Sequence, residues 1–127
     1  MNSFQIDITL PIFVSDYKAA LKKFPKLKTD LKVLLETIET DPTVGDRIPR
    51  QGADLYKVRL GLKGQFGKSG GYRLIYQVDQ QRKVVTLVAL YFKPERPKLT
   101  DAEMKDRLDK VAVHIAAIAR IEPPLTD

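Results

Sequence analysis

Between Leu55 and Phe92 three runs of the chain alternate apolar and other residues with a period of two. A β-strand sends successive side chains to opposite faces. Strands are therefore predicted at about Leu55–Leu62, Tyr72–Asp79 and Val84–Phe92. In the first, Tyr56, Val58, Leu60 and Leu62 share one face, and Lys57, Arg59, Gly61 and Lys63 share the other. In the second, Tyr72, Leu74, Tyr76 and Val78 form the apolar face, with Arg73 opposite. The third is apolar on both sides, which suits a central strand covered twice. From Leu55 to Val78 there are five cations (Lys57, Arg59, Lys63, Lys68, Arg73) and no acid. A sheet face with a row of positive charge suits a polyphosphate ligand, RNA first among them.

The flanking segments supply what such a sheet needs. Phe4, Ile6, Ile8 and Leu10 alternate with polar residues, predicting a further strand ended by Pro11. Ser15 is placed to cap a short helix carrying Tyr17, Ala20, Leu21 and Phe24, which Pro25 interrupts. A second helix from about Lys26 to Thr40 repeats Leu27, Leu31, Leu34, Leu35 and Ile38 at helical spacing, with Lys26, Lys28 and Lys32 turned to solvent. Asp41, Pro42 and Gly45 begin a loop. The segment KGQFGKSGG reads as a mobile, cationic link, and Asp79 to Arg82 as a hairpin turn. Thr100 and Glu103 form a capping box, with Leu99 and Met104 as its staple. Met104, Leu108, Val111, Ile115 and Ile118 then continue a helix that Pro123 and Pro124 end. The expectation is one α+β domain over residues 1–127. It has a twisted, mostly antiparallel sheet, an N-terminal helix hairpin on one face and a C-terminal helix at about 100–121.

Composition bounds the chemistry. A chain of 127 residues builds one ordinary domain, and its 43% apolar content supports a core. No apolar run reaches the ~20 residues that span a bilayer, and the N-terminus lacks the features of a signal peptide. Cysteine is absent and His114 is the one histidine. Disulfides and thiol catalysis are thereby excluded, and metal chemistry and cofactors are not expected. A reducing, cytoplasmic setting fits. The net charge of +6 points to anionic partners.

Several constellations fail on spacing. The string from Gly61 to Ser69 holds one residue too many before its Gly-Lys-Ser for a P-loop, and a strand rather than a helix follows it. No carboxylates are spaced for glycosidase work, Ser69 has no base beside it, and His114 has no histidine partner. What remains is Lys57, Arg59, Lys63, Lys68, Arg73, Tyr91 and Lys93. Cations stabilise the charge that develops on a phosphate in phosphodiester transfer. Crowding among them lowers a lysine's pKa, so that one can act as a base. With RNA as substrate, its own 2′-hydroxyl is the nucleophile. Charge and spacing leave two readings open, a phosphate-binding surface with catalysis or without it.

The residues also carry a family likeness. Leu55-Tyr56-Lys57-Val58-Arg59-Leu60, Gly67-Lys68-Ser69-Gly70-Gly71-Tyr72-Arg73-Leu74-Ile75-Tyr76 and Leu90-Tyr91-Phe92-Lys93 resemble the RelE/ParE superfamily of bacterial toxins. The KSGGYRLIY string is most similar to the RelE and HigB branches. The resemblance implies the toxin of a type II toxin–antitoxin system, a metal-independent endoribonuclease that cuts mRNA on the ribosome through 2′-hydroxyl attack. Its implied partners are a cognate antitoxin, in whose complex it oligomerises, together with mRNA and ribosomal RNA. By position, Arg59, Lys68, Arg73, Tyr91 and Lys93 would be catalytic, and Lys57 and Lys63 would bind RNA. Arg59 stands where a family lysine acts as general base, which leaves Lys57, Lys68, Lys93 or electrostatics alone for that role. A ParE-type gyrase inhibitor and a non-catalytic RNA- or protein-binding module are the rival readings.

Overall fold

A computed structural model of the chain describes residues 3–50, 52–60 and 71–121, with Arg120 and Ile121 described by backbone alone. Residues 61–70, among them Leu62, Lys63, Lys68 and Ser69, lie outside the described residues, as do Pro123 and Pro124. The elements follow as β1 (Gln5–Asp7), α1 (Pro11–Lys23), α2 (Leu27–Thr40), β2 (Asp46–Ile48), β3 (Leu55–Arg59), β4 (Tyr72–Asp79), β5 (Val84–Phe92) and α3 (Asp101–Ile121). The five strands form one sheet in the order β1-β5-β4-β3-β2. β1 runs parallel to β5 and every other pair is antiparallel. The architecture is the expected α+β arrangement of a mostly antiparallel sheet with a helix hairpin and a C-terminal helix.

The period-two pattern sorts the faces as expected. Tyr56, Val58, Leu74, Tyr76 and Val78 are buried, as are both faces of β5 from Val85 to Tyr91. Gln77, which shares a face with Arg73 and Ile75, lines a hollow with Leu108 and Val111 of α3. That face is therefore the one α3 covers. On the opposite face, Tyr72 feels the charge of Lys23 at the end of α1, which places the hairpin there. In α2 the buried stripe is Leu27, Leu31, Leu34 and Ile38, at the predicted spacing.

Two expectations are corrected. Ser15 does not cap the first helix, because the helix starts four residues earlier, at Pro11. Proline's fixed φ and missing N–H suit the first helical position, so Pro11 opens the helix, while the strand it was expected to end stops earlier, at Asp7. The segment after Gly45 is not all loop, since Asp46–Ile48 pairs with β3 as a short edge strand. Three residues with one apolar side chain carry no readable period.

Gly45 holds that edge in place. A β-carbon there would lie 2.8 Å from the Lys57 carbonyl oxygen and 3.1 Å from the Tyr76 hydroxyl. The Gly45 N–H donates to that hydroxyl (3.2 Å), which in turn donates to the Pro42 carbonyl (2.7 Å). Burial pushes the Tyr76 hydroxyl up to about 12. It therefore serves only as a hydrogen-bonding post between the sheet and the link after α2.

β5 outruns its neighbour β1, which pairs only with Val84 to Thr86. The open edge beyond it is filled by side chains. Arg107 of α3 donates to the Val88 carbonyl (2.9 Å) and to both oxygens of Asp16 of α1 (2.7 and 3.2 Å). Asp16 accepts the Leu90 N–H (3.1 Å). The edge is thus closed by two charged groups that neutralise each other.

Candidate nucleic-acid interface

The site begins with register. Arg59 of β3 stands directly opposite Arg73 of β4, and Arg73 directly opposite Tyr91 of β5. Residues opposite one another in antiparallel strands project to the same side, with β-carbons ~5 Å apart. The three side chains thus form one row across three strands, on the face whose interior positions α3 covers. Two steps along, Lys57, Ile75 and Ala89 form the next row. Ile75 and Ala89 are buried there, whereas Arg59 is exposed and Lys57 and Arg73 are half-buried. The cations thus sit where the apolar cover ends.

Like charges directly opposite one another on a sheet are destabilising. Arg59 and Arg73 are such a pair, and among the described residues no carboxylate bonds to Arg59 or Lys57. Asp46 of β2 stands opposite Lys57 in register, so an acid borders the site on its β2 edge. Arg73 is oriented by donating to the Tyr72 carbonyl (3.2 Å).

Tyr91 closes the row from the far strand. Burial pushes its hydroxyl above the usual phenol range, opposed in part by the positive charges of Arg73 and Arg96. It therefore stays protonated at neutral pH and can donate a hydrogen bond. Sequence reasoning missed Arg96, because it lies in an irregular loop where no spacing assigns a face. Arg96 is held by an ion pair with Glu103, whose other carboxylate oxygen accepts the Thr100 N–H (2.9 Å). The Glu103 N–H donates to the Thr100 hydroxyl (3.1 Å), completing the predicted capping box.

The register at this end depends on Gly71. The Lys93 N–H donates to the Gly71 carbonyl (2.7 Å), and a β-carbon on Gly71 would come within 2.4 Å of the Phe92 ring. That ring packs on Tyr72 with centroids 4.9 Å apart. The absence of a side chain at 71 lets Phe92 lie across β4, which keeps Tyr91 opposite Arg73. Lys93 is exposed two residues beyond Tyr91.

Of the residues predicted for the site, Arg59, Arg73 and Tyr91 come together in one row, with Lys57 in the next and Lys93 at its end. Lys63 and Lys68 lie outside the described residues. His114 is a structural tie between α3 and β1, its Nε2 lying 3.2 Å from both the Asp7 carboxylate and the Thr9 hydroxyl. Among the described residues no group of His, Asp or Glu side chains is arranged to hold a metal ion, and no helix is long and apolar enough to cross a membrane.

No protein-family model matches the sequence, and no curated protein does. Among solved structures the chain is similar to the free state of a double mutant of the E. coli toxin RelE. The likeness has 23% sequence identity and a TM-score of 0.49, and covers 76% of this chain and 90% of that one.

Proposed function

We propose that this protein is the toxin of a type II toxin–antitoxin pair and cleaves mRNA on the ribosome without a metal. The observation that carries the reading is the Arg59–Arg73–Tyr91 row, two arginines opposed in register beside a protonated phenol. The resemblance of the Lys57–Arg59 and KSGGYRLIY segments to RelE and HigB toxins adds to it.

The chemistry suits those groups. The 2′-hydroxyl attacks the adjacent phosphorus and loses its proton to a base, for which Lys57, Lys68 and Lys93 are the candidates. The bond from phosphorus to the 5′-oxygen breaks, the leaving oxygen takes a proton, and a 2′,3′-cyclic phosphate remains. Arg73 and Arg59 act on the phosphate oxygens, where negative charge builds up. Tyr91 and Lys93 orient the substrate, and either can protonate the leaving oxygen. Lys57 and Lys63 bind the RNA backbone. A small acidic antitoxin would complement this surface and suppress it.

Primer extension on translated mRNA tests the reading. Cuts within codons are expected with the wild-type chain. Arg73→Ala should lower cleavage by ~100-fold or more, as for loss of one preorganised donor, while leaving the circular dichroism spectrum intact. Uncut mRNA together with loss of gyrase supercoiling activity would replace this proposal by the ParE-type one. Full cleavage by folded Arg73→Ala would remove the row from the active site.

A further inference from the structure

We infer that the lysines of the α1–α2 hairpin form a second cationic surface, which holds the phosphate backbone of a folded RNA away from the sheet row. The choice of RNA rests on the function proposed above, and the surface itself rests on separate residues.

Lys18, Lys22, Lys26, Lys28 and Lys32 are all exposed. Among the described residues none of them makes an ion pair or a side-chain hydrogen bond. From Tyr17 to Leu35 the only acid is Asp30. The described cations of α3 are treated differently. Lys105 pairs with Asp109, Lys110 with Asp106, and Arg107 with Asp16. A helix built merely for solubility carries both signs in i,i+4 pairs, as α3 does. The hairpin instead repeats one sign at that spacing, Lys18 with Lys22 and Lys28 with Lys32, and adds Lys26 in the turn. Such pairs weaken an isolated helix, and a polyanion removes that cost.

Placement links this surface to the row. Lys23, the one hairpin lysine with a partner among the described residues, bonds Glu95 at 2.8 Å and so fastens the end of α1 to the loop between β5 and α3. That loop carries Arg96, whose charge reaches Tyr91. The hairpin covers the sheet face opposite the row, so an RNA that touches both must pass around this loop. An acidic peptide fits less well. The groove between the helices, floored by Phe13, Tyr17 and Leu31, is flanked by Lys28 and Lys32 but also by Glu36 and Glu39. Lys22 and Lys26 lie outside it.

The test is fluorescence anisotropy of a labelled RNA hairpin of about 20 base pairs, titrated with the full chain over a range of salt. The triple variant Lys18→Ala/Lys22→Ala/Lys26→Ala should bind about tenfold more weakly near 0.1 M salt. Its plot of log affinity against log salt should be shallower by about 2 to 3, since each lost phosphate contact removes ~0.9 from the slope. The corresponding triple Lys→Arg variant should keep both. Unchanged affinity and slope in the alanine variant would overturn the inference. It would also be overturned if that variant lost binding only to polyglutamate or to anionic vesicles. The outcomes stay distinct from those of the proposed function. Loss of RNA binding in a chain that never cuts mRNA upholds this surface and removes the nuclease. Normal RNA binding by a cleaving triple variant does the reverse.

Discussion

Two arginines beside the same sheet show how a partner decides what a charge does. Arg107 lies against the β5 edge with 11% of its side chain exposed, and its donors meet Asp16 and the Val88 carbonyl. Arg59 lies two strands away with another arginine facing it and no carboxylate bonded to it among the described residues. The first arginine belongs to the architecture, because desolvating it is offset by the acceptors that surround it. The second faces a like charge in register, and on the proposed function its use is to hold a ligand. Breaking each arrangement should therefore have opposite consequences.

The largest loss is expected at Arg107. Its removal leaves Asp16 charged and largely buried, and orphans the Val88 carbonyl. Arg107→Ala should destabilise the protein by about 3–5 kcal/mol, the usual effect of breaking a buried pair from one side. Urea denaturation followed by circular dichroism reads this directly. The double variant Arg107→Leu/Asp16→Leu should recover only part of the loss, since the Leu90 N–H would still lack its acceptor. A loss below about 1 kcal/mol for Arg107→Ala would move this arginine into the same class as Arg59.

Next comes Gly71, which links the structural and ligand-facing sides. Gly71→Ala forces the Phe92 ring off the strand, at a cost of about 1–3 kcal/mol as for other overpacked sites. On the proposed function, RNA cleavage should fall further than folding does, because the Tyr91–Arg73 register moves with Phe92. Equal and small losses in both would mean the ring yields without disturbing the row.

The acid side of the stability profile gives a smaller effect. Asp7 is partly desolvated, which raises its pKa, but hydrogen bonds from Thr9 and the contact with His114 outweigh this and hold it below the usual carboxylate range. A depressed carboxyl pKa means the unfolded chain binds the proton first. The stabilisation is then present above the unfolded pKa and is lost as pH falls through the folded one. The advantage of wild type over Asp7→Asn should narrow as pH drops below about 4. A difference independent of pH would show that the carboxylate's charge is not what ties β1 to α3.

The sequence made one side of this comparison visible and hid the other. The alternation along β4 and β5 was strong enough to give both strands at the bounds observed. The capping box at Thr100 and the leucine stripe of α2 were likewise local. The cations of Lys57, Arg59 and Arg73 were legible because a single strand period assigns their face. Their alignment with Tyr91 needed the pairing register, which a sequence does not print. Asp16 and Arg107 are 91 residues apart, and neither stands out in its own helix. Arg96 and β2 were missed because a loop and a three-residue strand have no period to read.

The smallest effect is the one that most directly tests the contrast. Replacing Arg59 by Thr removes one of two arginines opposed in register and puts a good strand former on an exposed position. Stability should rise by about 0.2–1 kcal/mol, the range for relief of a like-charge pair opposed across strands. The gain should shrink in 1 M salt, where screening already quiets the repulsion. Affinity for RNA should fall in the same variant, so that the residue's two effects point in opposite directions. A salt-independent loss of stability would mean that Arg59 packs as a structural residue, and the distinction between the two arginines would collapse.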